Sequence, residues 1–103
     1  MILYEVRIAV DRDIASEYRG WLEAHIHEIL ALPGFEFAEL LREEGADDRE
    51  IFVTHYWLRD RSALEGYLRD HAARLRADGL QRFGSRFSAE RRVLELDRRI
   101  GQR

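Results

Sequence analysis

Strand-like and helix-like stretches alternate along this chain in the order strand, helix, strand, strand, helix, strand. The residue patterns predict strands near 2–10, 35–43, 51–58 and 87–96 and helices near 13–31 and 62–77. Each half is a strand–helix–strand unit, and a polar, glycine-containing hairpin segment, 44–49, joins the two halves. Few compact folds accommodate this order with short connections.

The first strand shows the period-two alternation of a sheet with one face in the core. One predicted face carries Ile2, Tyr4, Val6, Ile8 and Val10. The other predicted face carries Leu3, Glu5, Arg7 and Ala9. The first set is expected to face the helices, because it is continuously apolar.

Both helical stretches carry one apolar stripe with a histidine inside it. The first stripe consists of Ile14, Tyr18, Trp21, Leu22, Ile26, Ile29 and Leu30. The second stripe consists of Leu64, Tyr67, Leu68, Ala72 and Leu75. At about 100° per residue, His25 and His71 lie within these stripes, whereas His27 lies on the opposite side. We therefore expect His25 and His71 to be mostly buried and hydrogen-bonded, and His27 to be exposed.

Local signals mark the ends of both helices. Pro33-Gly34 ends the first helix, because proline cannot continue it and glycine permits the turn. Ser62 and Glu65 have the spacing of a capping box at the start of the second helix. Gly79 is expected to end that helix.

This order predicts an α+β, ferredoxin-like βαββαβ fold, a four-stranded antiparallel sheet with two helices on one face. The domain is expected to span residues 1–96, with a polar tail at 97–103. The other sheet face would mix charged groups with large apolar ones, either Phe35, Phe37 and Leu41 or Ile51, Val53 and Trp57. Since a mixed face of this kind is a poor solvent surface, we expect a homodimer that covers it.

Composition excludes several classes of function. The 17 basic and 20 acidic residues give a net charge of -3, which argues against nucleic-acid binding. All the basic residues are arginine, so lysine Schiff-base chemistry is excluded, and the lack of cysteine excludes disulfides and thiolate ligands. We expect no cofactor and no metal. Since no signal-peptide pattern or long apolar run occurs, we also expect no membrane association and a cytoplasmic location.

Several motifs together carry a family resemblance over residues 1–96. The run from His25 to Phe35, which ends in Pro33-Gly34-Phe35, resembles the helix-to-strand signature of the dimeric α/β-barrel superfamily. That superfamily includes antibiotic-biosynthesis-type monooxygenases, chlorite-dismutase-like proteins and haem-degrading proteins. The whole chain resembles more closely a small bacterial family described only as a domain of unknown function. The matching motifs are Tyr4-Glu5-Val6, Trp21, His25-Ile26, Tyr56, Tyr67-Leu68, His71, Arg82-Phe83-Gly84 and Arg91-Arg92-Val93-Leu94.

The resemblance implies a dimeric α/β barrel but does not supply a reaction. Superfamily monooxygenases that lack cofactors bind polyaromatic substrates in a cavity. Their reactive residues have no one-to-one match in this sequence, so no catalytic residue is assigned. Whether the chain is an enzyme stays open at this point.

The candidate residues for a ligand pocket are His25, His55, Trp57, His71, Glu5 and Arg7. A neutral imidazole can act as a general base or bind a ligand, but buried histidines are also common core residues that hydrogen-bond to a neighbour. Strand alternation sends His55 and Trp57 to one face, where Glu5 or Arg7 could join them in a semi-polar pocket between the sheet and its partner. The alternative for that group is interface packing with buried ion pairs.

Three functions therefore remain open. The first is a dimeric binding module that holds a small molecule between the sheet and its partner. The second is a cofactor-independent monooxygenase or isomerase acting on a small aromatic substrate. The third is a haem-binding protein, in which His25, His55 or His71 would be the axial ligand.

Overall fold

The computed structural model describes residues 1–45 and 48–102 of the 103-residue chain. Two positions of the predicted 44–49 connection, 46 and 47, and the last residue of the predicted 97–103 tail lie outside the described residues. The four strands are β1 (Ile2–Asp11), β2 (Phe35–Arg42), β3 (Arg49–Leu58) and β4 (Phe87–Glu95). The three helices are α1 (Ala15–Leu30), α2 (Arg61–Asp70) and α3 (Ala72–Phe83). One-turn 3₁₀ segments, Arg12–Ile14 and Gly84–Arg86, precede α1 and β4.

The four strands form one sheet in the order β2-β3-β1-β4, with every neighbouring pair antiparallel. This is the predicted ferredoxin-like α+β fold, with the helices packed on one face. The even-numbered residues of β1 are all buried beneath the helices, as their apolar pattern predicts. Buried residues of α1 that pack onto them are Tyr18, Leu22, Ile26 and Ile29.

The second helical region differs from the prediction in three ways. His71 interrupts it with φ -130° and ψ -31°, which divides the region into α2 and α3. Its first cap is Asp60, whose carboxylate accepts a hydrogen bond from the Ala63 amide at 2.9 Å, not Ser62. Its end is Gly84, where φ is +56°, not Gly79.

Tertiary packing explains why Gly79 continues the helix. Gly79 is buried, and a Cβ at this position would lie 3.0 Å from Cη2 of Trp21. Glycine is therefore used here for the close approach of α3 to α1, and the helix passes through it.

The strand register defines the helix-free face of the sheet. Its members alternate with the core set along each strand. They are Leu3, Glu5, Arg7 and Ala9 from β1, Phe37, Glu39 and Leu41 from β2, Ile51, Val53, His55 and Trp57 from β3, and Ser88, Glu90, Arg92 and Leu94 from β4. The register shifts between Phe35 and Phe37, and Phe35 contacts Tyr56 and Tyr67 on the helix side instead.

Candidate functional site

A cavity of about 260 Å³ lies between the helices and the sheet. We call it the helix-side cavity. Its apolar and aromatic walls come from all three helices and from β1, β3 and β4. The lining includes Tyr4, Val6, Ile8, Tyr18, Trp21, Leu22, His25, Ile29, Thr54, Tyr56, Tyr67, Leu75, Arg76, Gly79, Leu80, Phe87, Ala89 and Arg91. Exposed residues of the lining, among them Arg76, Leu80 and Arg91, mark the opening to solvent.

Aromatic rings line the wall on both the sheet side and the α1 side. The ring of Tyr4 lies 5.7 Å from that of Tyr67 and 6.1 Å from that of Tyr56. On the α1 side, Trp21 stacks on His25 with centroids 4.5 Å apart and planes 19° apart. Edge-to-face and stacked rings of this kind present flat apolar surface with hydrogen-bonding groups at the ring edges.

Three phenol hydroxyls of the cavity are held in the neutral form. Burial raises the pKa of Tyr18 and that of Tyr56 well above the ordinary 10.0, and raises the pKa of Tyr67 to about 12. In each case desolvation is the dominant cause, because a phenolate loses its hydration there. At neutral pH these groups are therefore hydrogen-bond donors or acceptors without charge.

The histidine of the cavity is also biased toward its neutral form. His25 is partly buried, and desolvation lowers the pKa of its imidazole below the ordinary 6.5. The negative charges of Glu28 and Asp78 partly oppose this shift. A neutral imidazole in this position can accept a proton from a bound molecule.

Thr54 supplies a polar group deep in the wall. Its side chain is 0 % exposed, and within the described residues Oγ1 makes no hydrogen bond of normal geometry. The hydroxyl interacts with the phenol of Tyr56, and this interaction partly offsets the rise in the pKa of that phenol. A buried hydroxyl without a partner costs about 1–3 kcal/mol of stability.

Two arginines stand at the opening. Nη2 of Arg76 donates to the hydroxyl of Tyr4 at 2.9 Å. Arg91 projects from β4 on the helix-facing side of the sheet, and its charge acts on Tyr18, His25 and Tyr67. Among residues 1–45 and 48–102, neither guanidinium pairs with a carboxylate. The opening is therefore locally positive.

The helix-free face has the opposite character, because the charges at its centre are paired. Glu5 accepts hydrogen bonds from Arg92 Nε at 2.7 Å, and its other oxygen lies 2.8 Å from Nε2 of His55. The bond from Arg92 is the main reason why the pKa of Glu5 lies below 4.5, with burial opposing it and His55 adding to it. Arg7 forms a two-point ion pair with Glu43.

Large apolar groups surround these ion pairs. Phe37, Leu41 and Leu94 are 41 %, 44 % and 36 % exposed. Trp57 stacks on Phe37 with centroids 5.9 Å apart, and its indole N–H donates to Glu39 at 2.9 Å. The face is thus a hydrophobic surface with an internally satisfied polar centre.

The six residues predicted for a ligand pocket lie in three places. His25 lines the helix-side cavity. Glu5, Arg7, His55 and Trp57 share the helix-free face, as the alternation argument requires for a common site. His71 is partly buried at the break between α2 and α3, where it lines a separate recess with Pro33 and Arg69. His27 is exposed.

Several cavity residues lie outside the six predicted for a ligand pocket, above all Thr54, Arg76 and Arg91. Arg91 had a detectable signal, since strand alternation from Phe87 and Ala89 places it in the helix-facing set. An arginine in an otherwise apolar set is unusual for a residue whose only role is core packing. Arg76 had a weaker signal, because it lies outside the apolar stripe of the second helical stretch.

Two further features concern metal ions and membranes. Within the described residues, no three histidine or acidic side chains come together in a way that could hold a metal ion. None of the described helices combines the length and apolar character needed to cross a membrane.

Solved structures with low sequence identity share this fold. A variant of SnoaB, a cofactor-independent oxygenase from Streptomyces nogalater, is 17 % identical with a TM-score of 0.73, and the match covers 98 % of each chain. The haem-degrader MhuD from Mycobacterium tuberculosis, solved with two haems in its active site, is 20 % identical with a TM-score of 0.68, covering 98 % of this chain and 100 % of MhuD. A proposed antibiotic biosynthesis monooxygenase from Deinococcus radiodurans is 13 % identical with a TM-score of 0.75, covering 100 % of this chain and 99 % of the other.

These likenesses confirm the ferredoxin-like α+β fold. No curated protein sequence matches the chain significantly. A family model described as "Domain of unknown function (DUF4286)" matches residues 1–96. That match covers nearly the whole chain and confirms the closer of the two resemblances, and the chain belongs to the DUF4286 family.

Proposed function

We propose that this protein binds a small aromatic molecule in the helix-side cavity. The observation that carries the proposal is the cavity wall itself, in which aromatic rings and neutral phenol hydroxyls line the same space. Flat apolar surface favours a planar ligand, and the few polar groups fix its orientation. The pocket predicted from the sequence was placed between the sheet and its partner, and the proposal moves it to the other side of the sheet.

The size of the cavity favours a ligand of one or two rings. Its volume of about 260 Å³ is slightly below the usual range of roughly 300–1,000 Å³ for ligand pockets. A haem would find one neutral imidazole, that of His25, but a porphyrin macrocycle needs the helices to separate from the sheet. We therefore favour the smaller ligand, and a Soret band after addition of haem would favour the haem alternative.

A cofactor-independent oxygenase or isomerase is the second candidate, and His25 is the observation that favours it. A neutral imidazole beside an apolar cavity can take a proton from a phenolic or activated C–H group of a bound aromatic compound. The product of that step is an imidazolium and a delocalised anion, which the arginines at the opening would stabilise. Turnover that is lost in His25→Gln, with ligand binding kept, would establish this activity.

Binding is tested with naphthol as a neutral bicyclic probe and isothermal titration calorimetry. Ala89 lines the cavity, and Ala89→Leu should fill it and weaken naphthol binding at least about tenfold. Ala77→Leu introduces the same side chain at an exposed position of α3 and should leave the affinity unchanged. Absence of saturable binding, or equal affinity in the two variants, contradicts the proposal.

We also propose that a second copy of the chain covers the helix-free face. The three exposed apolar residues and the stacked Trp57 and Phe37 support this, since they surround a polar centre that needs no outside partner. A stable twofold interface should bury on the order of 1,200–2,000 Å² in total.

Sedimentation velocity tests the dimer. The protein should sediment as a dimer at micromolar concentration, and Leu41→Asp should convert it to a folded monomer. Glu65→Gln, an exposed change on α2, is the control and should stay dimeric. A wild-type monomer at micromolar concentration contradicts this part of the proposal.

A further inference from the structure

The strand register aligns the two polar features of the helix-side cavity. Val6 on β1 is paired with Thr54 on β3 and with Arg91 on β4. The three residues therefore form one row across the sheet, with all side chains on the helix-facing side. Neighbouring strands lie about 4.8 Å apart, so two spacings place the backbones of Thr54 and Arg91 roughly 10 Å from each other.

The positive end of this row has no acid to neutralise it. Most arginines of the protein form ion pairs, as Arg7, Arg86 and Arg92 do. Arg91 and Arg76 line the cavity opening, and no carboxylate of the described chain pairs with them. A planar guanidinium binds a carboxylate through two parallel hydrogen bonds. The opening is therefore suited to an anionic, planar group.

The other end of the row is the buried hydroxyl of Thr54, which is 0 % exposed and lines the cavity. Its Oγ1 interacts with the phenol of Tyr56 but makes no hydrogen bond of normal geometry among the described residues. Buried hydroxyls are normally satisfied, and a functional site is one of the places where they are not. A ligand oxygen at the inner end of the cavity would supply the missing bond.

We propose that the ligand is an aromatic acid with a hydroxyl or carbonyl oxygen at the far end of its ring system. The carboxylate pairs with Arg91 and Arg76 at the opening, the rings lie between Trp21 and the tyrosines, and the far oxygen hydrogen-bonds to Thr54. The spacing of the row fits a bicyclic skeleton with its two polar groups at opposite ends. This inference rests on the proposed binding of an aromatic molecule in the same cavity.

The acidic groups near the cavity do not compete with this arrangement. The charges of Glu28 and Asp78 raise the pKa of His25, which belongs to α1. Glu28 also lies within ion-pair distance of Arg74, at 3.9 Å. The charge of Arg91 lowers the pKa of the same imidazole. The Arg91 guanidinium therefore stays available to bind the ligand.

Three naphthalene probes test the inference by calorimetry. They are a hydroxynaphthoate with its hydroxyl and carboxylate at opposite ends, the naphthoate without the hydroxyl, and the naphthol without the carboxylate. The wild-type protein should bind the hydroxynaphthoate at least about tenfold more tightly than the naphthol. Arg91→Gln should remove most of that preference, whereas Arg61→Gln, an exposed arginine of α2 outside the cavity, should keep it.

Thr54→Val tests the inner end with a nearly isosteric side chain. It should lower the affinity for the hydroxynaphthoate about fivefold and leave the affinity for the naphthoate unchanged, and Thr54→Ser should restore the difference. The midpoint of thermal unfolding of Thr54→Val should be equal to or above that of the wild type, because the variant removes a buried hydroxyl that makes no hydrogen bond of normal geometry. That readout separates lost binding from lost folding.

The outcomes separate the aromatic-acid assignment from the cavity proposal. If naphthol binds and Ala89→Leu blocks it, but the acid gains nothing or Arg91→Gln has no effect, the aromatic-acid assignment is wrong and the cavity proposal stands. If none of the three probes binds, both fail together. Equal loss of all probes in Thr54→Val would show that Thr54 acts only through packing and would overturn its role as an anchor.

Discussion

The two faces of the sheet are built from alternate residues of the same strands, yet they differ in how their polar groups are satisfied. On the helix-free face, Glu5 is bonded by both Arg92 and His55, and Arg7 is bonded by Glu43. On the helix side, Thr54 makes no hydrogen bond of normal geometry, and Arg91 forms no ion pair with a carboxylate among the described residues. A satisfied polar centre within exposed apolar groups suits a permanent interface, whereas unsatisfied groups around a cavity suit a ligand that comes and goes. Substitutions and pH titrations on the two faces test this contrast.

Truncating one leucine on each side should separate core from interface. Leu75 on α3 is 1 % exposed, so Leu75→Ala should lower the free energy of unfolding by about 2–5 kcal/mol. Leu41→Ala removes the same atoms from a side chain that is 44 % exposed, and should lower the stability of the monomer far less while weakening the dimer. Urea unfolding at several protein concentrations measures both effects. Equal losses that do not depend on concentration would remove the distinction between the faces.

Two helix glycines provide a matched pair for the cavity wall. A methyl group added at Gly20 on α1 would have nothing within 4 Å, and Gly20→Ala should stabilise the protein by roughly 0.5–1 kcal/mol. At Gly79 the same methyl would lie 3.0 Å from Trp21 and 3.4 Å from Phe87. Gly79→Ala should therefore lose that gain and weaken naphthol binding. Thermal unfolding and calorimetry on both variants check this, and a stabilised Gly79→Ala with full affinity would show that α3 does not close against Trp21.

His25 should give the helix side a pH dependence near neutrality. Burial lowers the pKa of His25 below 6.5 in the folded protein, so the unfolded chain binds that proton more tightly. The contribution of His25 to stability is therefore complete above about pH 6.5 and is lost as the pH falls through the lower, folded pKa. His25→Gln should flatten this part of the stability profile. An unchanged profile in His25→Gln would contradict the burial.

Glu5 should give the helix-free face its own, smaller dependence at acid pH. Since the bond from Arg92 lowers the pKa of Glu5 below 4.5, the stabilisation is present above about pH 4.5 and is lost as the pH falls through the folded pKa. Glu5→Gln should remove the change in the free energy of unfolding at acid pH and leave the change near neutral pH in place. Urea unfolding between neutral and acid pH measures it. A loss of the change near neutral pH in Glu5→Gln would mean that the two faces titrate together.

The sequence predicted the fold well because the fold depends on periodicity. The even-numbered residues of β1 are buried as their alternation requires, and Pro33-Gly34 ends α1, with Gly34 at a φ of +85° beside Ala63. The prediction of the second helical region was less accurate. In the sequence, Gly79 is a local signal for the end of a helix, and only its close approach to Trp21 in the structure explains why the helix continues.

The site was harder to predict than the fold, for a geometric reason. The strand alternation correctly predicted that His55 and Trp57 share a face of the sheet with Glu5. For that reason the pocket was predicted on that face. The cavity instead depends on how far α1 and α3 stand above the sheet, which no residue pattern records. Phe35 illustrates the same limit, since a register shift of β2 turns it to the helix side, away from Phe37.

The two tryptophans allow a direct test of whether the ligand binds on one side of the sheet while the dimer forms on the other. One tryptophan lies on each side. Trp21 lines the helix-side cavity and Trp57 lies on the helix-free face. Their two indole N–H signals can be followed by NMR while hydroxynaphthoate is added, and again while the protein is diluted without ligand. We predict that the ligand shifts the signal of Trp21 and leaves that of Trp57 in place, and that dilution does the reverse. A ligand that shifts Trp57 alone, or a dilution that shifts Trp21 alone, would contradict the assignment of ligand binding to one face and self-association to the other.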